Sequence, residues 1–170
     1  MKTLKMFKKN LFVFLILLLF SISSIAQKNE FTKQDTLRGS ITPEREWWDL
    51  TYYHLSIKVN PGDSSFVGEN LIQYRVKESK KVMQIDLQPP MKITRIIQNG
   101  KNQTFKNDGN IWLVELSEIQ KKGEVNNLLI EFGGQPKVSR RPPWDGGVSW
   151  KKDDKGNDFI VTTVQGDGAS

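Results

Sequence analysis

The stretch "REWWDLTYYHLSIKVN", residues 45–60, decides the fold. Its apolar period is two. Tyr53, Leu55, Ile57 and Val59 alternate with Tyr52, His54, Ser56 and Lys58. Side chains on an extended chain point alternately to opposite faces, so this reads as a strand with one buried and one wet face. "PGD" at 61–63 closes it as a turn.

The pattern recurs downstream. Ile72, Tyr74 and Val76 form a second set, and Met83, Ile85 and Leu87 a third that stops at "QPP". Proline cannot donate to a ladder, so a strand ends there. Residues 93–97 make a short strand before the turn "NGKN". Trp112, Val114 and Leu116 follow "NDGN", and Leu128, Ile130 and Phe132 precede "GGQP". A β-branched strand over 159–164 comes last. Six or seven strands at short spacing, with turn residues between them, predict an all-β antiparallel sandwich. Residues 115–122 offer a weak helical alternative. The segment "SRRPPWDGG", 139–147, interrupts the strands, and its prolines and glycines suit an ordered excursion loop.

Outward from this core the chain changes character. Residues 1–10 carry four lysines and no acid, and "LFVFLILLLF" follows at 11–20. Ser24 and Ala26 then give an A-x-A-like exit. A basic start, a short apolar run and a small-residue exit read as a secretory signal peptide over 1–26. The run is shorter than the ~20 residues of a membrane span. An exported, periplasmic or extracellular protein is expected, touching membrane only through that segment. Residues 27–44 read as a polar linker, with structure starting near Arg45.

Four of the 25 Lys and Arg fall in the leader and none of the 19 Asp and Glu, so the remainder stands near +2 rather than +6. A nucleic-acid partner is not expected on that balance. The chain has no cysteine, so neither disulfides nor Cys-based zinc sites can stabilise it. Its single histidine, His54, excludes a multi-histidine metal cluster and reads as a surface residue. "DDKGND" at 153–158 lacks the downstream glutamate of a calcium loop and reads as a hairpin turn. The pattern at Asn102–Thr104 fits N-glycosylation and carries no further function. Trp47, Trp48, Tyr52 and Tyr53, with Trp144 and Trp150, suit packing at the ends of a sandwich. Exposed, they could also stack on sugars, so a stand-alone exported glycan- or peptide-binding module is the alternative.

Three stretches in order, "REWWDLTYYHLSIKVNPGDSSFVGENLIQYRV", "MQIDLQPPMKITRI" and "RRPPWDGGVSWKKDDKGNDFIVTTVQGDGAS", resemble the N-terminal domain of the zinc aminopeptidase N family, the gluzincin exopeptidases, and in particular its exported bacterial members. The resemblance runs from Arg45 to Ser170. It implies a β-sandwich domain over 45–170, preceding a thermolysin-like catalytic domain that is absent here. It implies that Gln165 helps hold the free amine of a peptide substrate. A neutral amide accepts through its carbonyl oxygen but lacks the charge assistance of a carboxylate. The family's His-Glu-x-x-His motif and its Gly-Ala-Met-Glu-Asn stretch do not occur in these 170 residues. Zinc is accordingly expected in the missing catalytic domain, the chain's own catalytic domain as its partner, and this chain alone as inactive.

Overall fold

The computed structural model describes residues 32–164. The leader at 1–26, residues 27–31 of the expected linker, and Gln165 lie outside the described residues.

Among the described residues, ten strands follow one short helix: β1 (Trp48–Asn60), β2 (Ser65–Val76), β3 (Lys80–Asp86), β4 (Lys92–Gln98), β5 (Lys101–Asn102), β6 (Thr104–Asp108), β7 (Ile111–Gln120), β8 (Val125–Gly134), β9 (Gly147–Lys152) and β10 (Asp158–Thr163). They form a five-stranded sheet in the order β1-β2-β8-β4-β5, a three-stranded sheet β3-β7-β6, and the hairpin β9-β10. Every pairing within these sheets is antiparallel. The predicted all-β class holds. The stretch 115–122, with its helical alternative, is strand as far as Gln120.

The core lies between the two larger sheets. Ile72, Tyr74, Val76, Ile93, Ile96, Leu128 and Ile130 of the large sheet cluster with Met83, Trp112, Val114 and Leu116 of the small one. Trp47, just before β1, is fully buried among them and donates its indole N–H to the Val82 carbonyl at 2.7 Å. Asn99 and Gly100 both take positive φ, 51° and 73°, as the tight β4–β5 turn requires.

Two of the buried glutamines, Gln98 and Gln120, meet Tyr74 in one cluster. The Tyr74 hydroxyl donates to Gln120 Oε1 at 2.8 Å, and Gln98 Nε2 donates to the Tyr74 oxygen at 2.7 Å and to Gln120 Oε1 at 3.1 Å. Gln120 Nε2 returns a bond to Gln98 Oε1 at 3.2 Å. Tyr74 and Gln98 belong to the large sheet and Gln120 to the small one, so the cluster ties sheet to sheet. Burial pushes the Tyr74 phenol up to about 12. It therefore stays a neutral donor.

Two findings differ from the sequence reading. First, residues expected to be a linker form helix α1 (Lys33–Gly39), held by a capping box between Thr32 and Asp35. The segment is tied to the small sheet: the buried Thr42 hydroxyl donates to Gln84 Oε1 at 2.7 Å, and Gln84 Nε2 donates to the Leu37 carbonyl at 3.1 Å. Ordered structure thus precedes Arg45. Second, the apolar face of β1 is not buried. Register pairs Tyr53, Leu55, Ile57 and Val59 with Ile72, Asn70, Gly68 and Phe66, so they do share the inner face of the large sheet. They remain about half exposed, from 42 to 55%. The five-stranded sheet is wider than the three-stranded one, and β1 at its edge extends past what the small sheet covers.

Candidate functional site

The resemblance points to the end of β10, where the chain runs toward Gln165. Its geometry is set by the loop 139–147. The Asp145 carboxylate accepts from the Ser139 hydroxyl at 2.6 Å and from the backbone N–H groups of Arg140 and Arg141 at 2.6 and 2.8 Å. The Ser139 hydroxyl contributes most to lowering the carboxyl to about 2; desolvation opposes it, and the Arg140 and Arg141 backbone donors add to the lowering. A residue that gathers its own upstream backbone in this way closes the loop on itself.

That closure reaches the end of the hairpin. The Thr163 hydroxyl donates to the Asp145 carbonyl at 2.9 Å, two positions before Gln165. At the loop's exit Gly147 has φ 139°, and an added Cβ would stand 2.6 Å from the Lys137 carbonyl oxygen. Only glycine fits that position. Val138 then bridges to Val148, with Val148 N–H donating to the Lys137 carbonyl at 2.8 Å. The Trp150 ring of β9 meets Phe66, on the inner face of β2, at 5.4 Å with the rings tilted by 50°. Its indole nitrogen and the Ser149 hydroxyl are sealed from solvent without a hydrogen-bond partner. The turn at 153–157 is a hairpin turn as expected, organised by Asp153 accepting from Lys155 and Asn157.

Gln165 itself lies outside the described residues, so its surroundings are not part of this geometry. The aromatic residues divide. Trp47 is core, and Trp48 meets the Tyr74 ring at 5.9 Å. Tyr52 and Tyr53 are exposed, and Trp144 stands 75% exposed at the tip of the clamped loop. His54 is exposed on the outer face of β1, opposite Leu71. Among the described residues no three His, Asp or Glu side chains come together as metal ligands do.

The chain matches no family model and no curated protein. Solved structures do resemble it. An M1 zinc metallopeptidase from Deinococcus radiodurans superposes with a TM-score of 0.51 at 20% identity, over 65% of this chain and 27% of that one. A two-domain M1 zinc metallopeptidase mutant bound to L-tryptophan gives 0.54 at 18%, over 72% and 28%. The chain thus matches little more than a quarter of the length of these structures. At such identities the likeness is one of architecture, and the described residues have the fold of an aminopeptidase N-like domain.

Proposed function

We propose that this chain is the non-catalytic N-terminal β-sandwich domain of an exported zinc metalloaminopeptidase, an enzyme that removes N-terminal residues from peptides. The fold shared with M1 zinc metallopeptidases over about a quarter of their length carries this reading. The domain braces a separate catalytic domain and contributes Gln165 to the site that holds the substrate amine. Two features of the described residues support it. The loop closed by Asp145 ties the end of β10 through Thr163, two positions before Gln165. The inner face of β1 leaves Ile57 and Val59 uncovered, as a surface meant for another domain would be. Contacts between domains commonly cover ~600–1,500 Å².

The described residues do not fit a catalytic zinc. Such sites take three protein ligands on rigid supports. His54 faces solvent opposite Leu71, and among the described residues no three His, Asp or Glu side chains gather as a metal site needs. Zinc and the residues that hold it are therefore assigned to the catalytic domain, and peptides to its cleft. Export rests on the leader at 1–26, with membrane contact confined to that segment.

Reading the coding sequence past Ser170 tests the proposal. An in-frame His-Glu-x-x-His is expected. A stop codon there, or an unrelated domain, would overturn it. The exposed Trp144 favours a second reading, a stand-alone glycan- or peptide-binding module. Tryptophan fluorescence that saturates with an oligosaccharide, in a monomeric chain that binds no hydrophobic dye, would favour that module instead.

A further inference from the structure

β1 is composed like an interior strand, yet it ends its sheet. It runs for 13 residues, pairs with β2 along one edge, and meets no strand along the other among the described residues. Apolar side chains stand on both of its faces. Tyr53, Leu55, Ile57 and Val59 point inward and Tyr52 outward, all about half exposed. Beside them on β2, the exposed Val67 and Leu71 extend the outward apolar surface. From Leu50 to Ile57 no acid, lysine, arginine or proline interrupts the strand.

The other outer edges of the two larger sheets are covered or blunted. The Gln84 N–H of β3 donates to the Glu44 carbonyl at 3.1 Å, so the segment leading into β1 covers that edge. β5 has only two residues, and the five of β6 include Lys106 and Asp108. Short, charged or covered edges resist pairing with another chain, whereas a long apolar edge invites it.

What fits this edge is a second β1. Two copies related by a two-fold axis meet antiparallel. Faces alternate along a strand, so like faces continue across the junction only if the axis passes at a residue rather than between two. An axis at His54 sets two imidazoles opposite each other, and one at Ser56 sets His54 opposite Lys58. An axis at Leu55 avoids both. It opposes Tyr53 to Ile57, an aromatic to a β-branched side chain, and brings Lys58 to the Tyr52 ring. Tyr52–Lys58 lies wholly beyond the bulge at Thr51, so its register is unbroken. Paired with itself, that segment makes roughly six to eight backbone hydrogen bonds, within the ~10 ± 5 of an ordinary interface.

We propose that the chain forms a two-fold dimer by antiparallel pairing of β1 with β1, centred on Leu55, which joins the two large sheets into one continuous sheet. This pairing uses the edge of β1 and is independent of the aminopeptidase reading, which concerns its inner face.

Light scattering of the purified full chain is expected to give the mass of a dimer, shifting toward monomer on dilution. The chain has no cysteine, so a single introduced one reports its own position. Under mild oxidation Leu55→Cys should cross-link to its copy at least fivefold more than Lys58→Cys, which stands opposite Tyr52 instead. Leu55→Lys sets two like charges opposite each other and should weaken the dimer at least tenfold, while the half-exposed position leaves the fold intact. A monomer mass at every concentration, or particles larger than a dimer, would overturn the pairing. Equal cross-linking of the two cysteine variants, or a dimer indifferent to Leu55→Lys, would do the same. The first two results are read on the unmodified chain, so a variant that fails to fold does not shield the idea.

Discussion

Replacing Gln120 by leucine should cost the protein about 3 kcal/mol, most of it through groups that Gln120 does not itself carry. Its Oε1 accepts from Tyr74, Gln98 and Asn126, and its Nε2 donates to Gln98 Oε1 and to the Glu118 carbonyl. Leucine keeps the volume and removes the amide. The Tyr74 hydroxyl then has no acceptor, and Gln98 Oε1 loses the donor from Gln120. Each orphaned buried group costs roughly 1–3 kcal/mol, so the pair approaches ~4, and the apolar gain of leucine returns about 1. Tyr74→Phe should cost only about 1 kcal/mol, since Gln98 Nε2 and Gln120 Oε1 keep other partners. The double variant should lose less than the two singles together, because the stranded hydroxyl has gone. Urea unfolding of the four proteins reads all three numbers. A loss under ~1 kcal/mol for Gln120→Leu, or strict additivity in the double variant, would refute the idea that this cluster ties the sheets together.

Other consequences follow from single residues. Asp145 has a lowered folded pKa, so its contribution is complete above about pH 4 and disappears as pH falls through about 2. The melting-temperature gap between wild type and Asp145→Asn should be constant at neutral pH and close over that acid window. A gap that stays constant to pH 2 would exclude the carboxylate as the cause. Gly68→Ala should destabilise by about 2 kcal/mol, as overpacking does, because the new Cβ would stand 2.3 Å from the Ser56 carbonyl and 3.1 Å from the Phe132 ring. A thermal melt unchanged from wild type would contradict that close approach. Ile57→Lys with Val59→Lys should reduce hydrophobic-dye binding and self-association at nearly unchanged stability, since both residues are already half exposed. A large drop in melting temperature would mean that the face is covered after all.

Alternation made the strands legible, and it even put the right residues of β1 on the inner face. It did not reveal whether anything covers them, because a period of two reports a side, while cover depends on the width of the opposing sheet. Bulges were hidden for a related reason. The extra residues Thr51 and Thr94 shift the register of β1 and β4, so Leu50 and Tyr53 face inward together, as do Ile93 and Ile96. Helix α1 did leave a mark, since Thr32 and Asp35 stand at capping-box spacing, but the polar composition around them outweighed it. The buried glutamines left none. Gln84, Gln98, Gln103 and Gln120 look like wet-face residues until their partners, drawn from distant strands, are known. The loop at 139–147 was recognisable as an ordered excursion, whereas the part played by Asp145 depends on where the loop brings Ser139, Arg140 and Arg141.

The central claim is that this sandwich is an accessory domain with no catalytic centre of its own. Zinc content by elemental mass spectrometry, taken together with hydrolysis of aminoacyl-p-nitroanilides by the purified chain, addresses it most directly. The account predicts far less than one bound zinc per chain and no turnover above the buffer rate. About one equivalent of zinc, with hydrolysis that a chelator abolishes and zinc restores, would contradict it.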